Sequence, residues 1–306
     1  MALWQEYLNY ASKVKATKRW RKIATQALRM HPTDVGLWKL AGTRAANYGD
    51  MGGAREYFMR GCRFCTTEPS LWLEYAKSEM DWLRKIEAKK ARGATKKGVS
   101  AMEVIRAEEA AEQEGDVIAL DDDDESAEED DEDGPKMLLP DPESKTNDKK
   151  KASFDDEAIK KLESSPALNG AIPIAIFDIS KKQPFYGAPA AEQFFELFAT
   201  FTDVSYRDKI VEHVLNTMEE EFPTDPATCN SRVKQPIIGV DPHTVAFPQG
   251  LRVALARLKD NMETTSDKQA LAVKTIAWME TILAVEDLDE GIRTVLTHTK
   301  KQLETL

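Results

Sequence analysis

Few residue patterns in this chain have the types and spacing that chemistry requires. Cys62 and Cys65 form one C-x-x-C, a spacing that binds zinc when a second pair of ligands accompanies it. No second pair follows, and Cys229 lies far along the chain. The four histidines are scattered and have no metal-type neighbours: His31, His213, His243 and His298. The sequence therefore predicts no metal site.

Other catalytic arrangements are also missing from the sequence. The glycines between Gly49 and Gly53 do not form a phosphate-binding loop, because no strand precedes them and no Lys-Ser/Thr pair follows. Carboxylates are abundant but lie in polar stretches, where nothing would shift their pKa toward catalysis. We therefore predict a protein that is not an enzyme and that has no catalytic residues, no cofactor and no small-molecule substrate.

The strongest chemical signal is the basic segment 13–22, KVKATKRWRK, with six basic residues in ten. Its candidate contact residues for RNA or a partner are Lys18, Arg19, Arg21 and Lys22. Such side chains neutralise phosphates and release counterions. The plainer interpretation is a solvated turn between two helices, with Trp20 packed inward. A second basic run at 84–97 is either a solvated face or a nuclear localisation signal.

The charge and the cysteine content limit which class of protein this can be. The chain has 306 residues and a formal net charge of −11. The tract 121–133 alone carries eleven acids. Removing these eleven from the 53 Asp and Glu leaves 42, which equals the 42 Lys and Arg. Three cysteines cannot form a disulfide framework, and no apolar run approaches 18 residues. The start also lacks a signal peptide, so we expect a soluble intracellular protein that does not bind membranes.

The elements that position these residues follow a repeat. Three Leu-Trp pairs lie 34 residues apart, at 3–4, 37–38 and 71–72. This period is typical of repeats in which each unit is a pair of antiparallel helices. Each tryptophan begins a stripe at i, i+3, i+4 and i+7, and a second stripe recurs at the same offset. The sequence thus predicts an all-α helical-repeat solenoid.

We interpret the aromatic residues as repeat core and not as a ligand-binding aromatic box. The predicted core residues are Trp4, Trp38, Trp72, Tyr75, Tyr57, Phe58 and Phe177. The predicted helices of the first two repeats cover 3–13, 17–30, 36–46 and 54–64, with a turn at 47–53. A third repeat opens with a long helix from Ser70.

An insertion interrupts the third repeat. From 93 to 170 the chain has few apolar residues and blocks of like charge, which predicts disorder apart from a short helix near 102–113. We expect its acidic tract to be a solvated loop, with a basic partner or competition with RNA as alternatives. Ala171 then begins AIPIAIFDIS, the predicted second helix of the third repeat. The chain therefore divides into repeats at 1–92, the insertion at 93–170 and further repeats at 171–306.

The C-terminal part continues the helical pattern. Helices at 191–202 and 204–222 form a predicted fourth unit. Residues 223–248 contain five prolines and no helical period, so we predict an irregular connection there. Three further helices are predicted at 249–263, 267–285 and 288–304.

The repeats resemble HAT (half-a-TPR) repeats. Trp72-Leu-Glu-Tyr75-Ala-Lys-Ser-Glu79 resembles the first-helix pattern, and Ala54-Arg55-Glu-Tyr57-Phe58 resembles the second-helix pattern. The first two repeats depart from the family, with Ala11 in place of Glu, and Ala41 and Ala45 in place of the aromatic and Glu.

Over 3–91 and 171–306 the chain resembles the HAT-repeat subunit of the UTP-B subcomplex of the small-subunit processome. The carrying stretches are LWLEYAKSEMDWLRKIEAKK, the acidic insertion after it, and AIPIAIFDIS. The resemblance implies a scaffold in the nucleus and nucleolus for early pre-rRNA processing and small-subunit ribosome biogenesis. It also implies WD-repeat propeller partners within UTP-B, and indirect association with a small nucleolar ribonucleoprotein, its snoRNA and pre-rRNA.

Two alternatives stay open at this point. The chain belongs to a HAT-repeat scaffold for splicing or mRNA 3′-end processing, or it binds RNA directly. Family members also have a segment ahead of the first repeat. Because the first helix here begins at residue 3, we expect a fragment or a truncated chain.

Overall fold

A computed structural model describes residues 2–14, 16–95 and 169–305, and these residues contain α-helices and no strand. The helices are α1 (Ala2–Lys13), α2 (Thr17–Met30), α3 (Val35–Asn47), α4 (Met51–Phe64), α5 (Ser70–Thr95), α6 (Ala171–Ser180), α7 (Ala188–Ala199), α8 (Arg207–Glu221), α9 (Pro226–Lys234), α10 (Ala246–Thr264), α11 (Lys268–Leu283) and α12 (Glu290–Glu304). The predicted all-α class is confirmed. None of the described helices is long and apolar enough to cross a membrane.

Helices that follow one another in the described residues pack in pairs. The six pairs are α1/α2, α3/α4, α5/α6, α7/α8, α9/α10 and α11/α12. The first helices of successive pairs, from α3 to α11, also pack against one another in chain order. Each pair therefore contacts its neighbours in the chain, as in a helical-repeat solenoid.

Small residues let the helices of the second and third pairs approach closely. A Cβ atom at Gly61 would lie 2.7 Å from Cγ of Trp38 and 2.8 Å from Cδ2 of Leu71. At Gly42, a Cβ atom would lie 2.5 Å from the Phe58 ring. Side chains larger than hydrogen at these two positions would force the large apolar residues apart, so the glycines belong to the packing of the repeat.

The turn between α3 and α4 is shorter than the sequence predicts. The Asp50 carboxylate accepts a hydrogen bond of 2.8 Å from the backbone N–H of Gly53, which caps α4. This cap lets the helix begin at Met51, although two glycines follow.

Helix α6 packs against α5, as the sequence predicts for the delayed second helix of the third repeat. Phe177 of α6 is fully buried, and its ring centroid lies 5.5 Å from that of Phe194 on α7. Residues 96–168 are outside the described residues. The predicted disorder of the insertion, its short helix and its acidic tract therefore concern residues that the structure does not describe.

The predicted irregular connection at 223–248 is wrong in its first half, where α9 forms. Asp225 accepts a hydrogen bond of 2.8 Å from the N–H of Ala227 and caps the helix. Pro226 occupies the first turn, where its missing N–H leaves no hydrogen bond unmade. Cys229 and Val233 are fully buried. Helix α9 packs on α7, α10 and α11, so it is the first helix of a fifth pair and not a linker.

A polar network joins the first helices of the last three pairs. Glu192 of α7 is buried and accepts hydrogen bonds from Asn230 of α9, at 2.7 Å, and from Lys274 of α11, at 2.5 Å. Beside it, Lys234 of α9 lies 2.6 Å from Glu196 of α7. A buried carboxylate is stable only when such partners replace water, so these contacts fix how the three helices stack.

Candidate nucleic-acid interface

Helix α2 carries the basic segment that the sequence singles out. It has five basic residues and no acid. Arg19, Arg21 and Lys22 are exposed, and Arg29 adds a fourth exposed cation in the last turn. Lys18 also lies in α2, but its side chain is outside the described residues. The structure thus places a dense positive charge on the outer side of the first helix pair.

Trp20 does not belong to this exposed surface. It is buried, and the Arg44 guanidinium lies 4.6 Å from its ring centroid and 4.6 Å from that of Tyr48. Arg44 also donates a hydrogen bond to Oγ of Ser12. Trp20 therefore packs inward, as in the plainer interpretation of the segment, while Arg21 on the same helix faces solvent.

Helix α4 extends the positive surface, and sequence reasoning missed this extension. It has three arginines and one acid, Glu56. Arg60 and Arg63 are exposed. The 34-residue offset relates Arg63 to Arg29, but it relates Arg60 to Gln26, so the offset alone does not reveal a basic surface on both helices. We call Arg21, Lys22, Arg29, Arg60 and Arg63 the basic face.

Cations of both helices influence the pKa of Tyr57. Burial raises the pKa of the Tyr57 hydroxyl, and the positive charges of Arg21 on α2 and Arg60 on α4 act against this rise. Arg21 and Arg60 therefore contribute positive potential at the same hydroxyl, and Asp50 and Glu56 act in the opposite direction.

No member of the basic face forms an ion pair with another residue in the described part of the chain. Arg55 of α4 behaves differently. Its Nε and Nη2 atoms lie 2.7 and 2.8 Å from the two carboxylate oxygens of Glu79, which is buried. Arg55 therefore joins α4 to α5, whereas Arg60 and Arg63 keep their charge available to a ligand.

Exposed apolar side chains border the basic face. Phe64 is 53% exposed, and one side of its ring stacks on Trp38 with a centroid distance of 6.1 Å and an interplanar angle of 9°. Met30, one repeat earlier, is 60% exposed. Phe64 follows Arg63 directly, so the end of α4 presents a held aromatic ring next to positive charge.

The residues predicted as repeat core occupy the interior to different degrees. Trp38, Trp72, Tyr75, Phe58 and Phe177 are buried, with Phe58 stacked on Tyr75 at 5.2 Å. Trp4 and Tyr57 are partly buried against the same core. Trp38 donates a hydrogen bond of 2.7 Å from Nε1 to the carbonyl of Pro32.

Two of the three cysteines lie in the core at the second pair. Cys62 and Cys65 are buried and are not bonded to each other. Burial raises the pKa of the Cys62 thiol to about 12, with a smaller contribution from Cys65. In the described residues, no three His, Cys, Asp or Glu side chains are placed to hold a metal ion.

Comparison with known proteins adds one relative to these observations. The chain is 30% identical over 90 residues to U3 small nucleolar RNA-associated protein 6 of Schizosaccharomyces pombe (strain 972 / ATCC 24843). The match covers 29% of this chain and 18% of that protein, so the chain spans less than a fifth of the relative's length. No family model matches the chain.

A groove between α3 and α5 is a weaker candidate site. It has a volume of about 190 Å³. Its charged lining residues are Glu74, Lys77, Asp81 and Lys85. Two acids and two bases balance, and Glu74 and Asp81 already pair with Lys77 and Arg84. The groove therefore offers a ligand less net charge than the basic face does.

Proposed function

We propose that this chain is part of a helical-repeat scaffold for rRNA processing and ribosome biogenesis. One observation carries the proposal: its similarity over 90 residues to a protein named for its association with the U3 small nucleolar RNA. The all-helical architecture supports the same conclusion, because stacked helix pairs offer extended surfaces on which several partners can bind.

The proposed role is structural and not catalytic. The most strongly raised pKa values belong to Cys62, Tyr75 and Tyr186, and burial is the largest cause of all three shifts. These groups are held in their neutral forms and pack against other helices. We therefore propose that the chain contributes binding surfaces, and no catalytic residue, to the assembly.

The finer proposal places the chain in the UTP-B subcomplex of the small-subunit processome, in the nucleolus. Its support is the HAT-like pattern of Trp72, Tyr75 and Glu79, together with the resumption of the interrupted repeat at Ala171. In this proposal, WD-repeat subunits bind the surfaces of the helix pairs, and contact with the U3 particle and pre-rRNA passes through these partners. HAT-repeat scaffolds for splicing or mRNA 3′-end processing have the same architecture, so the process must be tested directly.

Depletion of the protein in cells tests this function. We expect early pre-rRNA precursors to accumulate and the small ribosomal subunit to decline relative to the large subunit, measured by probing precursor RNAs and by gradient sedimentation. A matched culture that expresses the wild-type chain provides the control. Normal precursor levels together with unspliced or unprocessed mRNA would overturn the proposal.

A further inference from the structure

We propose that the basic face binds single-stranded RNA directly, through its phosphates and through base stacking on Phe64. This goes beyond the proposed scaffold function, which requires only contacts with proteins. The interface would lie on the second helices of the first two pairs, α2 and α4.

The basic face lies on two helices that have a large excess of positive charge. The chain without its acidic tract is balanced, but α2 and α4 together hold eight basic residues and one acid. The five cations of the basic face have no ion-pair partner in the described residues, so a ligand need not displace a carboxylate to reach them. A polyanion that they bind releases its counterions, and this release drives association.

The cations of the basic face are distributed along two helices. Lys22 and Arg29 lie on one stripe of α2, about 10 Å apart at 1.5 Å per residue. Arg63 lies on α4 one repeat after Arg29, and Arg60 lies one turn before Arg63. The cations on these two helices can therefore contact separate phosphates of one extended strand.

Phe64 favours RNA over an acidic protein segment. Its ring is already held on one side by Trp38, so a base that stacks on the exposed side meets an ordered surface. Such stacking is tolerant of sequence and adds to phosphate binding. An acidic peptide would use the arginines but would gain little from an aromatic ring at this place.

The test measures binding of the full chain to a labelled single-stranded RNA of mixed sequence, over a range of salt concentrations. We compare wild type with Arg29→Ala/Arg60→Ala/Arg63→Ala. Each lost phosphate contact lowers the slope of log affinity against log salt by about 0.7. We expect the slope to fall by roughly 2 and the affinity at low salt to fall at least about tenfold.

Two further variants separate charge from stacking. In Phe64→Leu we expect a loss of about fivefold or more in affinity with an unchanged salt slope, because no phosphate contact is removed. The control, Arg252→Ala/Lys259→Ala/Lys301→Ala, removes three exposed cations from α10 and α12, where acids are interspersed. It should bind RNA as wild type does. Circular dichroism and thermal unfolding establish that each variant is folded.

Three outcomes would overturn the inference. In the first, wild type does not bind RNA at low salt. In the second, wild type and the arginine variant have equal slopes of log affinity against log salt. In the third, Phe64→Leu binds RNA as tightly as wild type does, and polyglutamate of matched charge displaces the RNA. The last outcome would assign the face to an acidic protein. All three leave the depletion result unaffected, so this inference and the proposed function fail separately.

Discussion

At the scale of single residues, the contact between Arg55 and Glu79 explains why the HAT-like pattern needs both residue types. Glu79 is 1% exposed and would be unstable as an isolated buried charge. Arg55 supplies two hydrogen bonds to it from the preceding helix pair, and this contact raises the pKa of the arginine. The two residues therefore fix the position of α5 on α4.

We expect Arg55→Ala to lower the free energy of unfolding by about 3 kcal/mol, because it leaves the Glu79 carboxylate buried without its partner. Arg60→Ala on the same helix removes an exposed arginine and should change stability by less than about 0.5 kcal/mol. Urea unfolding of the two variants measures the difference. Equal stability would show that the ion pair contributes nothing to the stacking of α4 and α5.

Two buried side chains on α4 and α5 make the free energy of unfolding depend on pH. Burial raises the pKa of Cys62 to about 12, and burial followed by the charge of Glu79 raises the pKa of Tyr75 to about 12. In the unfolded chain these groups ionise near 8.5 and 10. Above these values the unfolded state releases protons that the folded state retains, so stability falls as pH rises from about 9 to 12.

We expect the double variant Cys62→Ala/Tyr75→Phe to lose less stability between pH 8 and pH 11 than wild type. Each variant is compared with its own value at pH 8, which removes the effect of altered packing. Urea unfolding at a series of pH values gives the slopes. Identical alkaline slopes would contradict the assigned pKa shifts.

At the scale of elements, equivalent positions of the repeat do not contribute equally to the packing. Leu37 and Leu71 are 2% and 0% exposed, and the helices that carry them, α3 and α5, both pack against the preceding helix pair. Leu3 has the same position in the first pair but is 77% exposed. Most of its side chain is left uncovered by the described part of the chain. Identical residue types at identical repeat positions thus have different energetic roles.

Leu37→Ala should therefore cost about 2–5 kcal/mol of stability, by loss of burial and creation of a cavity. Leu3→Ala should change stability by less than about 0.5 kcal/mol. Thermal or urea unfolding of both variants provides the comparison. A large loss in Leu3→Ala would mean that this face of α1 is covered in the folded protein.

The same helices show how much of the fold could be predicted from the sequence. The period of the tryptophans predicted both helices of each early pair, since large side chains recur where neighbouring repeats meet. Helix α9 was missed because its nine residues are too few to show a period and prolines flank it. The extension of the basic face to Arg60 and Arg63 was missed for another reason. Contact across two helices depends on how the pairs stack, and residue spacing within one segment does not reveal it.

Helix α9 yields a test of its own. Asp225→Ala removes the side-chain cap and should lower stability by about 1 kcal/mol. Asp203→Ala, at an exposed turn position, should change it by less than about 0.5 kcal/mol. A loss of similar size in both variants would contradict the role of Asp225 as the helix cap.

At the scale of the whole molecule, α9 joins two hydrophobic cores. The first core extends from Leu8 to Ala227, and the second extends from Val233 to Leu303. Ala227 and Val233 lie near opposite ends of α9, so this short helix contributes side chains to both hydrophobic cores. The six helix pairs consequently form one continuous stack, with the basic face near one end and the Glu192 network near the other. A continuous stack of this kind has separate surfaces along its length.

Purification of the tagged native protein from cells tests the proposed role in rRNA processing. Sequencing the copurifying RNA and identifying the proteins should reveal U3 small nucleolar RNA and pre-rRNA, together with WD-repeat proteins. An untagged culture provides the background. Spliceosomal RNAs or mRNA 3′-end processing factors in place of U3 and pre-rRNA would contradict the proposed role in rRNA processing.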